Sequence, residues 1–381
     1  MPAPWSPAWA ACLIATVVGA SAGTGDLLPH GLAPVDTGLP GAARAALSAK
    51  SCRGCHAEAH ADWTTSRHGR AWTNAIFQRE YKDRPLEWCV HCHAPLREQL
   101  EEVRHGGGAL ADEGVTCAAC HVRGGRMMAR AHAPGSPHDT EVRADFGGPA
   151  FCGGCHQFNF PVIAPDNRVT GYTNHPMQDT VHQHDTGPFA ARECLGCHRS
   201  GNGGHRFPGG HDDLMIERAM TLETCRDGRA LEVHLTNAAA GHNVPTGDVH
   251  RHLVLRAWRA SAPERLQEAV LGRRFEPAPD GGKKTVEDNT IPPGVTRTVR
   301  LGMDALGPPA GAEPISLQLR LVYTIDEFPF RGRELAEATS APMIDRQIRW
   351  PELAPCRPVR GPASPQKPVA LVPGSATIRG R

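Results

Sequence analysis

Aromatic residues make up only 5% of this 381-residue chain. That is a thin apolar supply for a conventional core of this length. Charge of one sign is also missing. Lys and Arg number 41 against 40 Asp and Glu, a formal net charge of +1. With no basic run and no nucleic-acid-binding motif, nucleic acid is excluded as an expected partner. No stretch beyond the N-terminal segment is apolar enough to span a membrane. Cys-x-x-Cys-Lys does not occur either. Gly (41) and Pro (34) are both abundant, which predicts many loops and turns.

What the chain has is cysteine in a repeated frame. Cys-x-x-Cys-His occurs five times: Cys52, Cys55, His56; Cys89, Cys92, His93; Cys117, Cys120, His121; Cys152, Cys155, His156; and Cys194, Cys197, His198. Two thiols two residues apart sit on one short turn, where they can form thioethers to the two vinyl groups of one haem. The following imidazole then points at the iron as proximal ligand. The frame reads as a c-type haem attachment site. Zinc and redox-dithiol readings are the competitors. A zinc ribbon takes two Cys pairs per metal and does not require the trailing His. Five pairs is an odd number for that scheme, and a redox dithiol usually occurs once. Five covalent haem c groups are therefore expected. They also repair the apolar deficit, since each is a large flat apolar body the chain can wrap. Their propionates would turn the near-neutral chain negative and steer basic redox partners.

Residues 1–22 read as a signal peptide. Residues 11–20 are a short apolar run, and Ala20-Ser21-Ala22 offers a small-residue cleavage site before Gly23. The segment lacks Lys and Arg, and a transmembrane anchor is the alternative, although the run is short for a span. Cys12 after Trp9-Ala10-Ala11 makes a poor lipobox. Export fits haem attachment outside the cytoplasm, so the expected location is periplasmic, extracellular or on the cell surface. The membrane would be touched only through this segment, if uncleaved. Residues 23–48 are a lead-in linker and 49–212 the pentahaem cytochrome c domain. That span is too short for a separate fold around every haem, so the haems must pack on one another. Short helices are predicted around 56–70, 72–82 and 95–104, with turns elsewhere.

From 213 the periodicity changes to two. Leu231, Val233 and Leu235 alternate with Glu232, His234 and Thr236. Val295, Val299, Leu301 and Met303 share a parity, as do Ile315, Leu317, Leu319, Leu321, Tyr323 and Ile325. Residues 252–258 are a further candidate strand. Short alternating segments with Gly/Pro punctuation predict a β-sandwich-like domain over 213–350. A Pro-rich tail, 351–381, follows. The fold class expected is mixed: a loop-rich, mainly α multihaem region wrapped on five haems, then an all-β domain. Cys225 and Cys356 flank the strands and pair most simply as a disulfide in an exported domain. Two independent buried thiols are the alternative.

Of 21 His, the motifs use only five. A second imidazole on the other axial position would make low-spin iron suited to electron transfer, whereas an empty position gives chemistry instead. The motif Cys52-x-x-Cys55-His56 followed by Trp63-x-x-Ser66-x-His68 resembles the opening of multihaem c-type cytochromes of the cytochrome c-554 type. The segments Gly114 to His121, Phe151 to Phe158 and Met177-Gln178-Asp179-Thr180 are similar to that group as well. The resemblance implies that His68 ligates a haem other than the one just before it. Where the family would carry an acidic-Trp pair, this chain has His182-Gln183-His184. His205 to Asp212 and Ala240 to Gly247 resemble elements of multihaem cytochromes with a C-terminal β-domain. The leading distal candidates are His68, His242, His205, His138 and His211. Behind them stand His105, His132, His175, His182 and His184, each of which surface or hydrogen-bonding roles would equally explain. His91, inside the second motif, does not reach its own iron. His242 lies in a Gly-His-Asn-x-Pro-Thr-Gly turn that would dock the β-domain onto the haem region, with plain turn chemistry as the alternative. Met177 or Met127 would make a His/Met pair of higher potential.

The leading functional expectation is an electron carrier, with redox proteins as partners: other cytochromes or a quinone-linked complex. The second is a multihaem oxidoreductase with one open haem, acting on a small nitrogen or sulfur oxyanion, hydroxylamine or peroxide. In a third, compatible with the first, the β-domain is the docking module for a partner.

Overall fold

The computed structural model describes residues 34–307, 312–323, 340–357 and 371–372. The expected signal segment, Cys12, and most of the Pro-rich tail lie outside the described residues. The later part of the lead-in is packed. Val35 is 2% and Leu47 1% exposed. The Val35 amide donates to the Pro95 carbonyl at 2.6 Å, and its carbonyl accepts from Arg97 N at 3.1 Å. No helix among the described residues is long and apolar enough to cross a membrane.

Short helices carry the motifs. Glu87–His93, Cys117–His121, Pro149–His156 and Leu195–His198 each end on the motif His. His56 is the N-cap of Ala57–Thr65. The motif spacing closes one helical turn: His56 N donates to Cys52 O, and His198 N to Cys194 O, both at 2.9 Å. The three predicted helices correspond to Ala57–Thr65, Ala75–Asp83 and Arg97–Arg104. The first stops short of its predicted end. Ser66 turns extended there and donates its hydroxyl to the Trp63 carbonyl at 2.7 Å. Between the fourth and fifth motifs lies an antiparallel hairpin, Gln157–Ile163 with Val169–Asp179, where turns were predicted. Pro161 and Pro176 obscure it in sequence. In a two-stranded hairpin each strand is an edge, so a proline need not break a ladder bond.

The C-terminal half is antiparallel β. One three-stranded sheet orders Thr296–Gly302, Ala230–Asn237 and Met220–Asp227. A larger sheet orders Lys283–Asp288, Ala262–Pro277, His252–Arg259, Ile315–Val322 and Ser340–Ile348, with Leu371–Val372 pairing Ala262–Pro277. Both sheets feed one buried apolar cluster. Leu231, Val233 and Leu235 come from the first, and Leu253, Leu255, Leu317 and Leu319 from the second. These are the alternating residues read from sequence. The strands that escaped prediction carry charge. Ala262–Pro277 contains Glu268 and Arg273, both buried. Glu268 Oε2 accepts from Arg256 Nε at 2.8 Å, with side chains 2% and 8% exposed. A paired buried charge hides the period that apolar alternation would have shown.

Cys225 and Cys356 are joined in a disulfide. It ties the strap after Ser340–Ile348 to the strand Met220–Asp227, beside backbone bonds from Arg226 N to Ala354 O (3.0 Å) and Cys356 N to Arg226 O (2.9 Å).

The Arg256–Glu268 pair gives a test of the β half. Glu268→Ala strands a buried guanidinium and is expected to cost about 3–5 kcal/mol. Replacing both partners with apolar residues of similar volume is expected to be close to neutral by comparison. Chemical denaturation of the three proteins checks this, and an equal loss in single and double variants would show that the pair is not the cause.

Candidate functional site

The motifs, far apart in sequence, converge. The Cys52 thiol meets that of Cys117, Cys155 meets Cys92, and Cys152 meets Cys194. Burial raises the Cys120 thiol, and Cys155 lies close enough to add to that rise. The first motif thus neighbours the third, the third the fourth, and the fourth both the second and the fifth.

Four motif imidazoles each face a second imidazole from elsewhere in the chain. Ring centroids are 6.3 Å apart for His56 and His138, and 6.3 Å for His156 and His68. They are 6.2 Å apart for His121 and His205, and 6.1 Å for His198 and His242. Other ring pairs scatter as ordinary packing does, from 3.6 Å for Phe77–His93 to 5.8 Å for His205–Phe207. The narrow range of the four pairs has a simple geometric counterpart. Bonds of about 2 Å from each ring nitrogen to one metal, with about 1.1 Å from nitrogen to ring centre, give about 6.2 Å. The residues present therefore fit a metal held between each pair.

Orientation supports the same fit. His121 Nδ1 lies 2.9 Å from Met128 O, His198 Nδ1 2.6 Å from Pro208 O, and His93 Nδ1 2.9 Å from Ala71 O. Among the facing rings, His205 Nδ1 lies 2.5 Å from Gly203 O and His242 Nδ1 3.0 Å from Asn243 O. A carbonyl only accepts, so each Nδ1 carries the proton and each Nε2 keeps its lone pair for a metal. Desolvation by surrounding protein holds His68 near 4, His156 near 3 and His242 near 4. They are neutral at pH 7, as a ligand must be. His156 is ringed by protein and still keeps an exposed face.

The loops that present the facing rings are individually fixed. Val115 N donates to His68 O at 2.9 Å, and Trp63 Nε1 to Val115 O at 2.7 Å. Gly114 has φ +62, and a Cβ there would come 2.6 Å from His68 O, so only glycine allows this approach. Asp62 Oδ2 accepts from Gly203 N at 2.7 Å and His205 N at 3.3 Å. Phe207 is left-handed at φ +46, with its ring 4.8 Å from His68 and 5.8 Å from His205. Such a conformation costs a bulky residue on the order of 1–3 kcal/mol and persists only where its surroundings impose it. Asn237 is fully buried and donates to His242 O at 2.8 Å and Ile291 O at 3.0 Å.

His211 is placed differently from the other leading distal candidates. It stacks on Tyr323 at 3.9 Å and has no ring contact with a motif His among the described residues. His93 likewise meets no second imidazole in the described ring contacts. Phe77 lies flat on it, Tyr81 stacks with Phe77, and Trp72 packs on Phe77 at a tilt. His105, His182 and His184 direct Nδ1 to Glu101 O, Asp179 and Asp185. His132 is exposed, His175 half-buried and His91 buried. Met127 pairs with Val122 in a short strand, and Met177 is half-buried, its carbonyl accepting from Arg273 at 2.6 Å.

Sequence reading did not single out Arg67 and Arg251. Burial lowers the Arg67 guanidinium, with Arg251 beside it adding repulsion. Burial and the same two arginines push His211 down to about 3. Arg251 also lies near enough to lower His156 and His242. Among the described residues no ion pair or side-chain hydrogen bond engages either guanidinium. Arg251 is half-buried and Arg67 exposed, and two such cations next to paired imidazoles fit a group that brings its own carboxylates.

Residues 51–122 match the family model of cytochrome c554 and c-prime. No curated protein matches the chain. The chain is similar in fold to a penta-heme cytochrome c552 from Thermochromatium tepidum, with a TM-score of 0.57 and 19% sequence identity. The likeness covers 79% of this chain and 98% of that one. Five Cys-x-x-Cys-His frames, a matched segment across the first three of them and a shared fold support a relation to the multihaem c-type cytochromes, and the mostly-β C-terminal side is consistent with a β-domain there.

Proposed function

We propose that the protein is an exported pentahaem c-type cytochrome that carries electrons between redox partners. The observation that carries this reading is the set of four imidazole pairs at 6.1–6.3 Å. Each attachment motif supplies two thioether cysteines and a proximal His. His138, His205, His68 and His242 then complete the first, third, fourth and fifth sites as bis-His ligand sets. When bound, haem iron supplies a one-electron couple, and two axial imidazoles suit it to transfer. The residues supply position and field. The meeting of thiols from different motifs puts the sites in near contact, in the order first, third, fourth, with the second and fifth branching from the fourth. Arg67 and Arg251 serve as counter-ions to propionates. The two C-terminal sheets on one core form a β-sandwich-like domain that docks through the His242 turn. Its outer surface is left for a partner protein, in the periplasm or at the cell surface.

The second motif favours a second reading at one site. His93 has an aromatic shell and no facing imidazole. This position would be open for a small nitrogen or sulfur oxyanion, hydroxylamine or peroxide, or filled by a thioether such as that of Met177.

Low-temperature EPR of the purified ferric protein tests both. Four low-spin centres are expected, untouched by hydroxylamine or nitrite. A fifth, high-spin centre that shifts on ligand addition supports chemistry at His93. A fifth low-spin centre unmoved by ligands leaves a pure carrier. More than one high-spin centre would refute the four pairs. His242→Ala is expected to turn one low-spin centre high-spin while the far-ultraviolet β signal stays. Arg251→Gln removes a cation that disfavours the ferric state, so the midpoint potential of at least one haem should fall by on the order of 50 mV, about tenfold in its equilibrium constant. Unchanged potentials across a full redox titration would remove Arg251 from the haem environment.

A further inference from the structure

The outer face of the three-stranded sheet gathers metal-ligating groups that electron transfer does not use. On the strand Ala230–Asn237, Glu232 and His234 alternate with the buried Leu231, Val233 and Leu235, so they point away from the core. Cys225 is opposite Glu232 in register, and Thr298 is opposite His234. His234 Nε2 lies 3.2 Å from Cys225 Sγ, and its Nδ1 lies 2.9 Å from Thr298 Oγ1. Glu232 Oε2 is 3.7 Å from His234 Nε2, while Oε1 accepts from Arg300 at 3.2 Å. One ligand atom each from Cys225, Cys356, Glu232 and His234 fall within 4.8 Å of one another. His234 and Glu232 are only 13% and 18% exposed.

We propose that Cys225, Cys356, His234 and Glu232 form a redox-gated site for one zinc-class divalent cation, closed by the disulfide and opened by its reduction. Two thiolates, an imidazole and a carboxylate are a donor set that zinc takes in tetrahedral geometry. The imidazole is already set for it. Thr298 Oγ1 can accept an Nδ1 proton, and in that tautomer the Nε2 lone pair faces the sulfur. Arg300 occupies one carboxylate oxygen and leaves the other facing His234. Disulfide sulfurs carry no charge and bind a cation weakly, so the oxidised form is silent. A dithiol reductant breaks the Cys225–Cys356 bond and becomes a disulfide itself. Two electrons and two protons pass to the two sulfurs. Zinc binding then expels the two thiol protons. Cys356 belongs to the strap after the last long strand, so the S–S bond and the metal hold the strap to the same strand in turn.

The test uses the full holoprotein, whose thioether-bound haems survive mild dithiol treatment. Oxidised and dithiol-reduced samples are equilibrated with zinc, desalted and analysed for metal by mass spectrometry. The reduced form is expected to retain one more zinc per molecule than the oxidised form. His234→Ala should lose it, and Thr298→Val, which leaves every ligand in place, should weaken it by about 10–100-fold. Zinc X-ray absorption of the reduced wild type should show two sulfur scatterers at about 2.3 Å and two nitrogen or oxygen scatterers near 2.0 Å. Equal zinc in both forms, full retention by His234→Ala, a coordination shell without sulfur, or a reduced β-domain whose circular dichroism zinc does not restore would each overturn the proposal.

Discussion

The haem half depends on holding an imidazole by its back nitrogen. A histidine ring has two nitrogens, and a ligand needs one free, at a fixed angle, with its proton elsewhere. Backbone carbonyls of Ala71, Met128, Gly203, Pro208 and Asn243 meet that need here. A carbonyl is a good holder because the chain that carries it is itself fixed. Pro208 follows Phe207, whose left-handed backbone packs its ring near both His68 and His205. One short loop therefore touches His205, His68 and His198, which belong to the third, fourth and fifth imidazole pairs.

The same constraint explains why the β half belongs to the site. His242 rides on a turn whose carbonyls are gripped by fully buried Asn237, at the end of a strand in the apolar core. Around it the two halves are joined by polar contacts with fixed geometry. Thr246 donates to Gln183 Oε1 at 2.6 Å, and Tyr323 donates to Gly210 O at 2.5 Å. Arg273 reaches from the larger sheet to Pro176 O and Met177 O. Bonds to backbone carbonyls define position without depending on a partner's rotamer. Under the proposed reading His242 would be a ligand offered from the β half, and such a ligand needs that rigidity, since a small displacement would take it out of reach.

The motifs and the apolar strands were legible in the sequence because each is a local pattern. Cys-x-x-Cys-His needs one helical turn, and Leu231, Val233 and Leu235 need only the pleat. His68, His138, His205 and His242 were legible as candidates, since histidine in such excess demands a use. Which motif each faces was not. His68 faces His156 across 88 positions of chain, and no local rule sets that distance. The Gln157–Ile163 hairpin and the strand Ala262–Pro277 were missed for opposite reasons. Prolines hid the first, and a buried ion pair hid the second. The Nδ1 acceptors are main-chain atoms, so residue identity carries no signal for them. His211 is a candidate through the resemblance of the segment His205 to Asp212, and lies instead against Tyr323, where Arg67 and Arg251 make a further cation costly.

The scarce aromatics are spent unevenly, and this sets the second motif apart. Trp72, Phe77 and Tyr81 form one cluster, Trp72 meeting Tyr81 edge-on, and Phe77 lies parallel to His93 at 3.6 Å. The four paired motif histidines each face a second imidazole at 6.1–6.3 Å, whereas the described ring partner of His93 is Phe77, flat against the face of its ring. A net positive charge on oxidised haem is disfavoured in such surroundings, and a second imidazole, which would favour it, is missing from the described ring contacts. Under the proposed reading, the second site therefore has the highest potential of the five. It branches from the fourth, where Cys92 meets Cys155. A branch that ends at the most oxidising centre is where electrons rest, and the same property that makes a good reservoir makes a good place for chemistry. Under the proposed reading, the choice between the two depends on which group would complete the site with His93, a role that Phe77, flat on the face of the ring, does not fill.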